Sequence, residues 1–238
     1  MRRLTKGPPP ANVAHPTQEP TSLAAWDAAY QVSVATAADP SKHARSRFDD
    51  MHKRYLRDVL FVEQRYLCVY CERAIDEVQP PPPIDHWNPL SLFLDQVFDW
   101  NNLHLSCRTV DTCDDRKKDD ALNLPWPVSF QYEDVLGFTS GGRMYVRNDI
   151  SVLPQLRQAL EVALEDQPGP PVARSTLNLN HPALRAARAA AIESEEGESP
   201  ATPAQQQQRI TVLLAQARRE DFMSARLAAL NGQLGVGR

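Results

Sequence analysis

The chain has 238 residues, 42% of them hydrophobic, and a formal net charge of −4. That length accommodates one sizeable domain or two small ones, and the acidic balance argues against a protein that coats nucleic acid unaided, since such proteins are usually basic. No run of residues approaches the roughly 18–20 apolar positions of a membrane span, and no apolar stretch follows the basic start as it would in a signal peptide. We therefore expect a cytoplasmic protein.

The first 66 residues are predicted to form an arm followed by helices. Residues 1–20 are polar and rich in proline, which is typical of an extended segment. Apolar residues recur at helical spacing over residues 21–38 and again over 41–66. Four cations lie off the second apolar stripe and fit either a solvated helix face or a surface that faces phosphate groups: Lys53, Arg54, Arg57 and Arg65.

Residues 67–125 carry the chain's most informative chemistry, because all four cysteines lie there in two pairs: Cys68, Cys71, Cys107 and Cys113. A CxxC motif followed about 36 residues later by a second pair is typical of a tetrahedral zinc site with four thiolate ligands. Disulfides or buried free thiols are the alternative, but in a reducing cytoplasm thiols bind metal rather than each other. We therefore expect a structural Zn²⁺ and a zinc knuckle over residues 67–75, with two short strands around the CxxC motif.

The remaining elements of this region are short. The prolines of residues 80–83 cannot donate backbone hydrogen bonds and should form a stiff spacer. Residues 84–87 are β-like, and 114–122 resemble a charged helix. Trp87 and Trp100 are expected in the core, and His104, between two leucines, is expected to be a partly buried strand histidine.

Beyond residue 125 the sequence predicts a hairpin and helices. Residues 130–132 and 144–146 flank Gly141-Gly142, which indicates a hairpin. Helices are predicted over 153–164, from 181 to 192 and over 210–230, with a linker at 167–171 and a loose polar segment at 193–203. The whole is predicted to be a mainly helical α+β protein with three regions, 1–66, 67–125 and 126–238, the last of which could dock a partner.

Polar residues between and after the cysteine pairs suit hydrolysis of a phosphodiester. His86 would take a proton from the attacking water, since an unperturbed imidazole pKa near 6.5 suits a base at neutral pH. Asp85 and Asp114 would hold a divalent ion, Mg²⁺ or Mn²⁺, with Asp115 as the substitute if Asp114 points away. Asn102 would fix the loop that carries His86. Each residue alone has an ordinary structural explanation, and their order is what favours a site.

Cations of the charged segment after the last cysteine would contact a phosphate group of the substrate: Arg116, Lys117 and Lys118. The alternative for this run of charges is the solvated end of a helix.

The pattern Cys68-x-x-Cys71, Asp85-His86, Asn102, Cys107 and Cys113-Asp114-x-x-Lys117 resembles the zinc-containing HNH endonucleases. That resemblance implies a ββα-metal fold for the central region and a metal-dependent nuclease activity. Two features depart from the family pattern. The second cysteine pair is Cys-x5-Cys where CxxC is commoner, and Asp114 stands where the family usually has Asn or His.

A closer resemblance covers residues 100–103, Trp-Asn-Asn-Leu, and a later run at 176–188 that begins Thr-Leu-Asn-Leu-Asn-His-Pro and ends at Arg188. Both resemble the HNH subunit of the Septu anti-phage system, which is also found with some retrons. The resemblance implies an ATPase partner of the SMC/ABC type and a role in defence. The leading hypothesis is thus a nuclease that acts on DNA. RNA, including tRNA, stays open as the substrate, and a non-catalytic zinc-binding interaction module is the alternative function.

Overall fold

The structure is a computed structural model that describes residues 1–11, 21–51, 53–77, 80–165, 176–197, 202–216 and 219–235. These residues form a mainly helical α+β fold with two small antiparallel sheets, as the sequence predicts at this level. None of the described helices is long and apolar enough to cross a membrane. The predicted linker at 167–171 lies outside the described residues.

The helices are α1 (Leu23–Val34), α2 (Pro40–Asp50), α3 (Arg54–Glu63), α4 (Cys113–Lys117), α5 (Tyr132–Val135), α6 (Pro154–Leu164), α7 (Pro182–Gly197), α8 (Pro203–Ala215) and α9 (Met223–Leu230). The strands are β1 (Ile84–His86), β2 (Leu103–Leu105), β3 (Leu136–Phe138) and β4 (Met144–Val146). Two single turns of 3-10 helix, Leu94–Gln96 and Trp100–Asn102, lie between β1 and β2.

The N-terminal helices begin at residues that cap them well. The side chain of Ser22 accepts a hydrogen bond from the backbone N–H of Ala25 at the start of α1, and Asp39 caps α2 in the same way. The helical stretch predicted over 41–66 is divided into α2 and α3, because the backbone at Met51 is extended and its side chain is buried.

The first residues of the chain are packed against the body of the protein. Met1 and Leu4 are buried. The backbone N–H of Leu4 donates to the carbonyl of Pro127 at 2.8 Å, and that of Gly7 donates to the Glu63 carboxylate at 2.7 Å. Of the arm predicted over residues 1–20, the described part is therefore docked rather than free.

The central region has the order strand, strand, helix. β1 and β2 pair antiparallel, so that Asp85 lies opposite His104 and His86 opposite Leu103. The β-like segment predicted at 84–87 is thereby confirmed as β1, and His104 is fully buried in β2. The following helix, α4, is shorter than the predicted 114–122 and stops where the backbone at Lys118 takes a φ of 51°.

The knuckle predicted at 67–75 is a tight turn with little strand structure. A single antiparallel bridge joins Leu67 to Ala74, in place of the two short strands expected. Within this turn, the N–H of Cys68 donates to the carbonyl of Arg73 at 2.8 Å, and the N–H of Glu72 donates to the carbonyl of Cys68 at 3.1 Å. These bonds hold the two cysteines of the CxxC motif on one short turn.

The C-terminal region keeps the predicted hairpin but shifts its first strand. β3 and β4 pair antiparallel, with Leu136 opposite Val146. The segment predicted as the first strand, 130–132, instead leads into α5, because the Tyr132 ring is buried and its hydroxyl donates to the carbonyl of Pro125. Gly142, with a φ of 72°, makes the turn before β4.

Two further helix predictions for this region are wrong in their limits. The segment predicted to be loose, 193–203, begins as a helix, since α7 continues to Gly197. The Glu195 carboxylate is buried there and forms ion pairs with Arg209 at 2.8 Å and Arg226 at 2.6 Å. The single helix predicted over 210–230 is two, α8 and α9, and Phe222 precedes the second in a left-handed conformation.

Candidate metal centre and polar cavity

The four cysteines come together in a buried cluster. Their Sγ atoms all lie within 4.8 Å of one another, and those of Cys71 and Cys107 are 3.7 Å apart. A disulfide needs about 2.05 Å between sulfurs, whereas sulfurs around a tetrahedral Zn²⁺ with bonds of about 2.3 Å are separated by roughly 3.8 Å. The cluster therefore fits a structural metal ion such as zinc.

Three parts of the central region contribute to this cluster. Cys68 and Cys71 come from the knuckle, Cys107 follows β2 and Cys113 begins α4. Burial raises the pKa of the Cys113 thiol well above its ordinary value. A metal ion bound among the four sulfurs would stabilise their thiolate form.

The longer loop between Cys107 and Cys113 is held by its own hydrogen bonds. The hydroxyl of Thr112 donates to the carbonyl of Thr109 at 2.9 Å, and the N–H of Asp111 donates to the Asp115 carboxylate at 2.7 Å. The additional residues thus project from the cluster and leave the sulfurs together.

The run at 176–188 lies against the cysteine cluster, a placement that sequence reasoning missed. The N–H of Cys113 donates to the carbonyl of Leu177 at 2.9 Å. Arg188 is buried, and its guanidinium group donates to the carbonyls of Gly142 and Leu179. Burial lowers the pKa of Arg188 to about 10, while the charges of Cys71 and Cys113 act in the opposite direction. A buried cation therefore lies near the cluster and would offset part of the negative charge of metal-bound thiolates.

A polar cavity of about 550 Å³ lies beside the metal centre, and Asp85, His86 and Asp114 all line it. Asp85 is on β1 and Asp114 is in the first turn of α4, so the antiparallel pair and the helix after it bring the two carboxyl groups together. The carboxyl group of Asp114 lies close enough to that of Asp85 for the two to interact. Burial, together with the charge of Asp85, raises the pKa of Asp114 to about 7.

Of the two candidates on α4, Asp114 is the one near Asp85. Asp115 is more exposed, and its carboxylate accepts from the N–H of Asp111 and pairs with Lys118 at 2.9 Å. Asp85 has further partners, since the hydroxyl of Tyr70 donates to its Oδ2 atom. Sequence reasoning did not assign Tyr70 to the site, although its place inside the CxxC motif was a signal.

His86 lies in the wall of the cavity and is only 4% exposed. Its Nε2 atom is 2.9 Å from the carbonyl oxygen of Val97, which can only accept, so Nε2 carries the hydrogen. The ring of Phe48 packs edge-on against the imidazole, and the two ring centroids are 4.5 Å apart. Burial lowers the pKa of His86 to about 4, below the value near 6.5 assumed from sequence. The imidazole is consequently neutral at pH 7, with Nδ1 unprotonated.

Asn102 forms the hydrogen bonds to backbone that the sequence analysis assigned to it. Its Oδ1 atom accepts from the N–H of Asn88 at 2.7 Å, and its Nδ2 group donates to the carbonyls of Asn88 and Gln96 at 3.0 Å each. These bonds close the loop that follows β1 and so fix the position of His86.

Lys117, which was predicted to contact a substrate phosphate, lines the cavity, but its ammonium group already has protein partners. The side chain is buried, and its ammonium group lies 3.3 Å from Asp85 Oδ1 and 2.7 Å from the carbonyl oxygen of His86. Lys117 is four residues after Cys113 and therefore shares the inward face of α4. Arg116 pairs with Asp111 at 2.7 Å, and Lys118 remains an exposed cation at the cavity.

Three other cations line the cavity and were not assigned to the site from sequence: Arg45, Lys53 and Arg108. Lys53 belongs to the group of four for which a phosphate-facing surface was left open. Arg65, of the same group, donates instead to the carbonyls of Leu214 and Gln216.

Comparison with known proteins identifies no family: a scan of protein-family models gives no match to the chain, and a search of curated proteins gives no significant match.

Proposed function

We propose that this protein is a metal-dependent endonuclease of the HNH type that hydrolyses phosphodiester bonds, with DNA as the favoured substrate. The observation that carries the proposal is the convergence of Asp85, His86 and Asp114 on one polar cavity. Catalytic groups must share a site, and a structural zinc cluster alone has no need of these three.

The two carboxyl groups would hold the catalytic ion. Asp85 and Asp114 line the same cavity and their carboxyl groups interact, and two neighbouring carboxylates repel each other unless a proton or a cation lies between them. Carboxylate oxygens are the ligands that Mg²⁺ and Mn²⁺ prefer. When bound, such an ion offsets negative charge on the scissile phosphate and on the departing oxygen.

His86 would act as the general base. Because Nε2–H is directed to the Val97 carbonyl, the free lone pair of the imidazole is on Nδ1. Asn102 keeps the loop behind the histidine in place, so that a water molecule in the cavity would meet a fixed acceptor.

The order of the central elements gives further support, since β1, β2 and α4 follow one another as a ββα-metal unit requires. The proposal that an ATPase of the SMC/ABC type is the partner, in an anti-phage defence complex, depends on the sequence resemblance at residues 100–103 and 176–188.

Cleavage assays test the proposed activity. Purified protein is incubated with supercoiled plasmid, single-stranded DNA and tRNA, with Mg²⁺ or Mn²⁺, alone and with the ATPase encoded next to it if there is one. We expect cutting that requires the divalent ion and falls by about 10²–10⁴ in His86→Ala. Asp114→Asn should abolish cutting, while the adjacent Asp115→Asn serves as the matched control and should retain it. Full activity of His86→Ala would contradict the assigned role.

One observation favours the alternative of a non-catalytic zinc-binding module. Both carboxylate oxygens of Asp85 already have protein partners, Tyr70 and Lys117. A carboxylate has about four acceptor positions, so these contacts leave room for an ion. The module hypothesis predicts no metal-dependent cutting of any of the three substrates and unchanged folding in Asp114→Asn.

A further inference from the structure

The proline spacer before β1 holds two arginine side chains. Pro81 and Pro82 have no N–H group to donate, but their carbonyl oxygens accept hydrogen bonds from side chains. Arg108 donates from Nε and Nη2 to the carbonyl of Pro81 at 3.0 and 2.6 Å. Arg57, on α3, donates from Nε to the carbonyl of Pro82 at 3.1 Å. Two guanidinium groups are therefore fixed by consecutive carbonyls of one stiff segment.

These two cations are close enough to repel each other. The pKa of Arg57 is lowered, first by burial and then by the charge of Arg108. Within the described part of the chain, neither guanidinium group is in an ion pair. Like charges held together in this way are stabilised when an anion binds between them.

The other cations that line the polar cavity each have a carboxylate partner. Arg45 pairs with Asp119 at 3.0 Å and Lys118 with Asp115 at 2.9 Å. Lys53 pairs with Asp49 at 2.6 Å, and Lys117 is held by Asp85. Among the described residues that line the cavity, Arg108 is thus the cation without a carboxylate partner.

The pair also lies between two cavities. Arg108 lines the polar cavity that holds Asp85 and Asp114. Arg57 lines a neighbouring cavity of about 570 Å³, together with Arg54 and Pro81, and Lys53 lines both. The second cavity also has two acidic residues, Asp58 and Glu77. Cationic side chains consequently continue from the proposed catalytic site to the surface beside it.

We propose that Arg57 and Arg108 form a phosphate clamp that grips the nucleic-acid backbone next to the phosphate to be cut. This inference rests on the proposed nuclease function and names residues for substrate positioning. A guanidinium group presents donors in a planar fork that matches phosphate oxygens. The bonds to Pro81 and Pro82 use some of these donors, hold the forks in place and leave the others free for the ligand.

Binding and its salt dependence test the clamp separately from catalysis. The full-length His86→Ala variant, without added divalent ion, is titrated against a fluorescent DNA duplex at several salt concentrations, and anisotropy gives Kd. Each lost phosphate contact should lower the slope of log K against log salt by about 0.9 on duplex DNA. Arg57→Gln and Arg108→Gln should each show this decrease and weaken binding about tenfold, and the double variant should show both decreases.

Arg65→Gln is the matched control. Arg65 is also an arginine held by backbone carbonyls at the end of the same helix region, but it faces Leu214 and Gln216 rather than the cavities. Its replacement should leave the salt slope unchanged. Thermal melting of every variant verifies that the fold is kept.

The two proposals fail in different ways. If the double variant binds DNA with the same Kd and salt slope as its parent, or if the parent does not bind DNA at low salt, the clamp is wrong. If binding depends on both arginines but the protein with intact His86 cuts no substrate, the clamp stands as a nucleic-acid site and the nuclease function is wrong.

Discussion

The central region and the C-terminal region of this protein share an apolar core but differ in the length of their elements and in the groups that they bury. The elements around the cysteine cluster are three to five residues long, too short to be stable alone. They are joined by the four clustered cysteines, by buried polar contacts such as those of Asp85 and Asn102, and by buried apolar residues such as Trp87 and Leu105. The C-terminal helices α6 to α9 are 8 to 16 residues long. They bury leucines and alanines and depend on ordinary apolar packing.

The contrast shows how one chain separates a site from its support. A polar cavity needs buried charged groups at fixed positions, and apolar packing alone cannot supply them without a large desolvation cost. A metal ion can fix short elements around such a cavity. Four measurements can test this difference between the two regions, in order of decreasing effect.

Loss of the structural metal should unfold the central region first. In small zinc domains the metal supplies about 10–16 kcal/mol, which is as large as the whole stability of many proteins. Metal analysis of the purified protein should find about one tightly bound zinc per chain, and Cys113→Ser should lose it. Hydrogen exchange should then lose protection over 67–77 and 103–117 before α6 and α7. A zinc-free protein with unchanged protection would remove the basis of the contrast.

Backbone packing should matter most in the C-terminal region. At Gly142, a Cβ atom would lie 2.1 Å from the carbonyl oxygen of Arg185, and the φ of 72° is unfavourable for other residues. Gly142→Ala should therefore cost at least about 2 kcal/mol of unfolding free energy, measured by urea denaturation, with zinc content unchanged. The neighbour Gly141 is the control, since its nearest atom is 3.8 Å away. A neutral Gly142→Ala would show that this turn is not tightly packed.

Metal binding in the cavity should depend on pH through Asp114. Its pKa of about 7 is above the ordinary aspartate value, so the folded protein keeps a proton there below pH 7 that a divalent ion must displace. Mn²⁺ affinity should rise by about tenfold per pH unit below pH 7 and level off above it, measured by calorimetry on the zinc-loaded protein. Asp114→Asn should abolish the pH dependence along with most of the binding. A flat profile in the unmodified protein would contradict the shared site of Asp85 and Asp114.

The exposed ion pairs at the cavity rim should contribute little to stability. Arg45 and Asp119 form a 3.0 Å contact, but both side chains are more than half exposed. Such pairs are worth about 0–1 kcal/mol and are screened by salt. Arg45→Gln should shift the unfolding free energy by less than about 1 kcal/mol, by denaturant titration at low and high salt. A larger loss would mean that the rim, and not only the metal centre, holds the central region together.

The sequence predicted the central region well where ligand chemistry limits the choices. Two cysteine pairs at the spacing of a metal site indicated the cluster, and the order of Asp85-His86 before Asn102 located β1 and the loop behind it. The inward direction of Lys117 was missed, although its spacing of four from Cys113 places both on one face of α4. The four-residue spacing between a metal-ligand candidate and a lysine could therefore have predicted that the lysine side chain points inward.

Sequence patterns were a weaker guide in the C-terminal region, because distant contacts set the limits of its elements. Residues 193–197 are polar, yet they stay helical where Glu195 meets Arg209 and Arg226 from later in the chain. The break between α8 and α9 is equally non-local, since the N–H of Phe222 donates to the carbonyl of Glu72 at 2.8 Å. Neither contact is visible in local periodicity.

Anomalous diffraction from crystals grown with MnCl₂ would show whether a catalytic ion binds in the cavity beside the cysteine cluster. We predict one zinc peak among the four Sγ atoms and one manganese peak between the carboxylates of Asp85 and Asp114, next to His86. A zinc peak alone at saturating Mn²⁺, or manganese bound elsewhere while these carboxylates stay bare, would contradict this prediction.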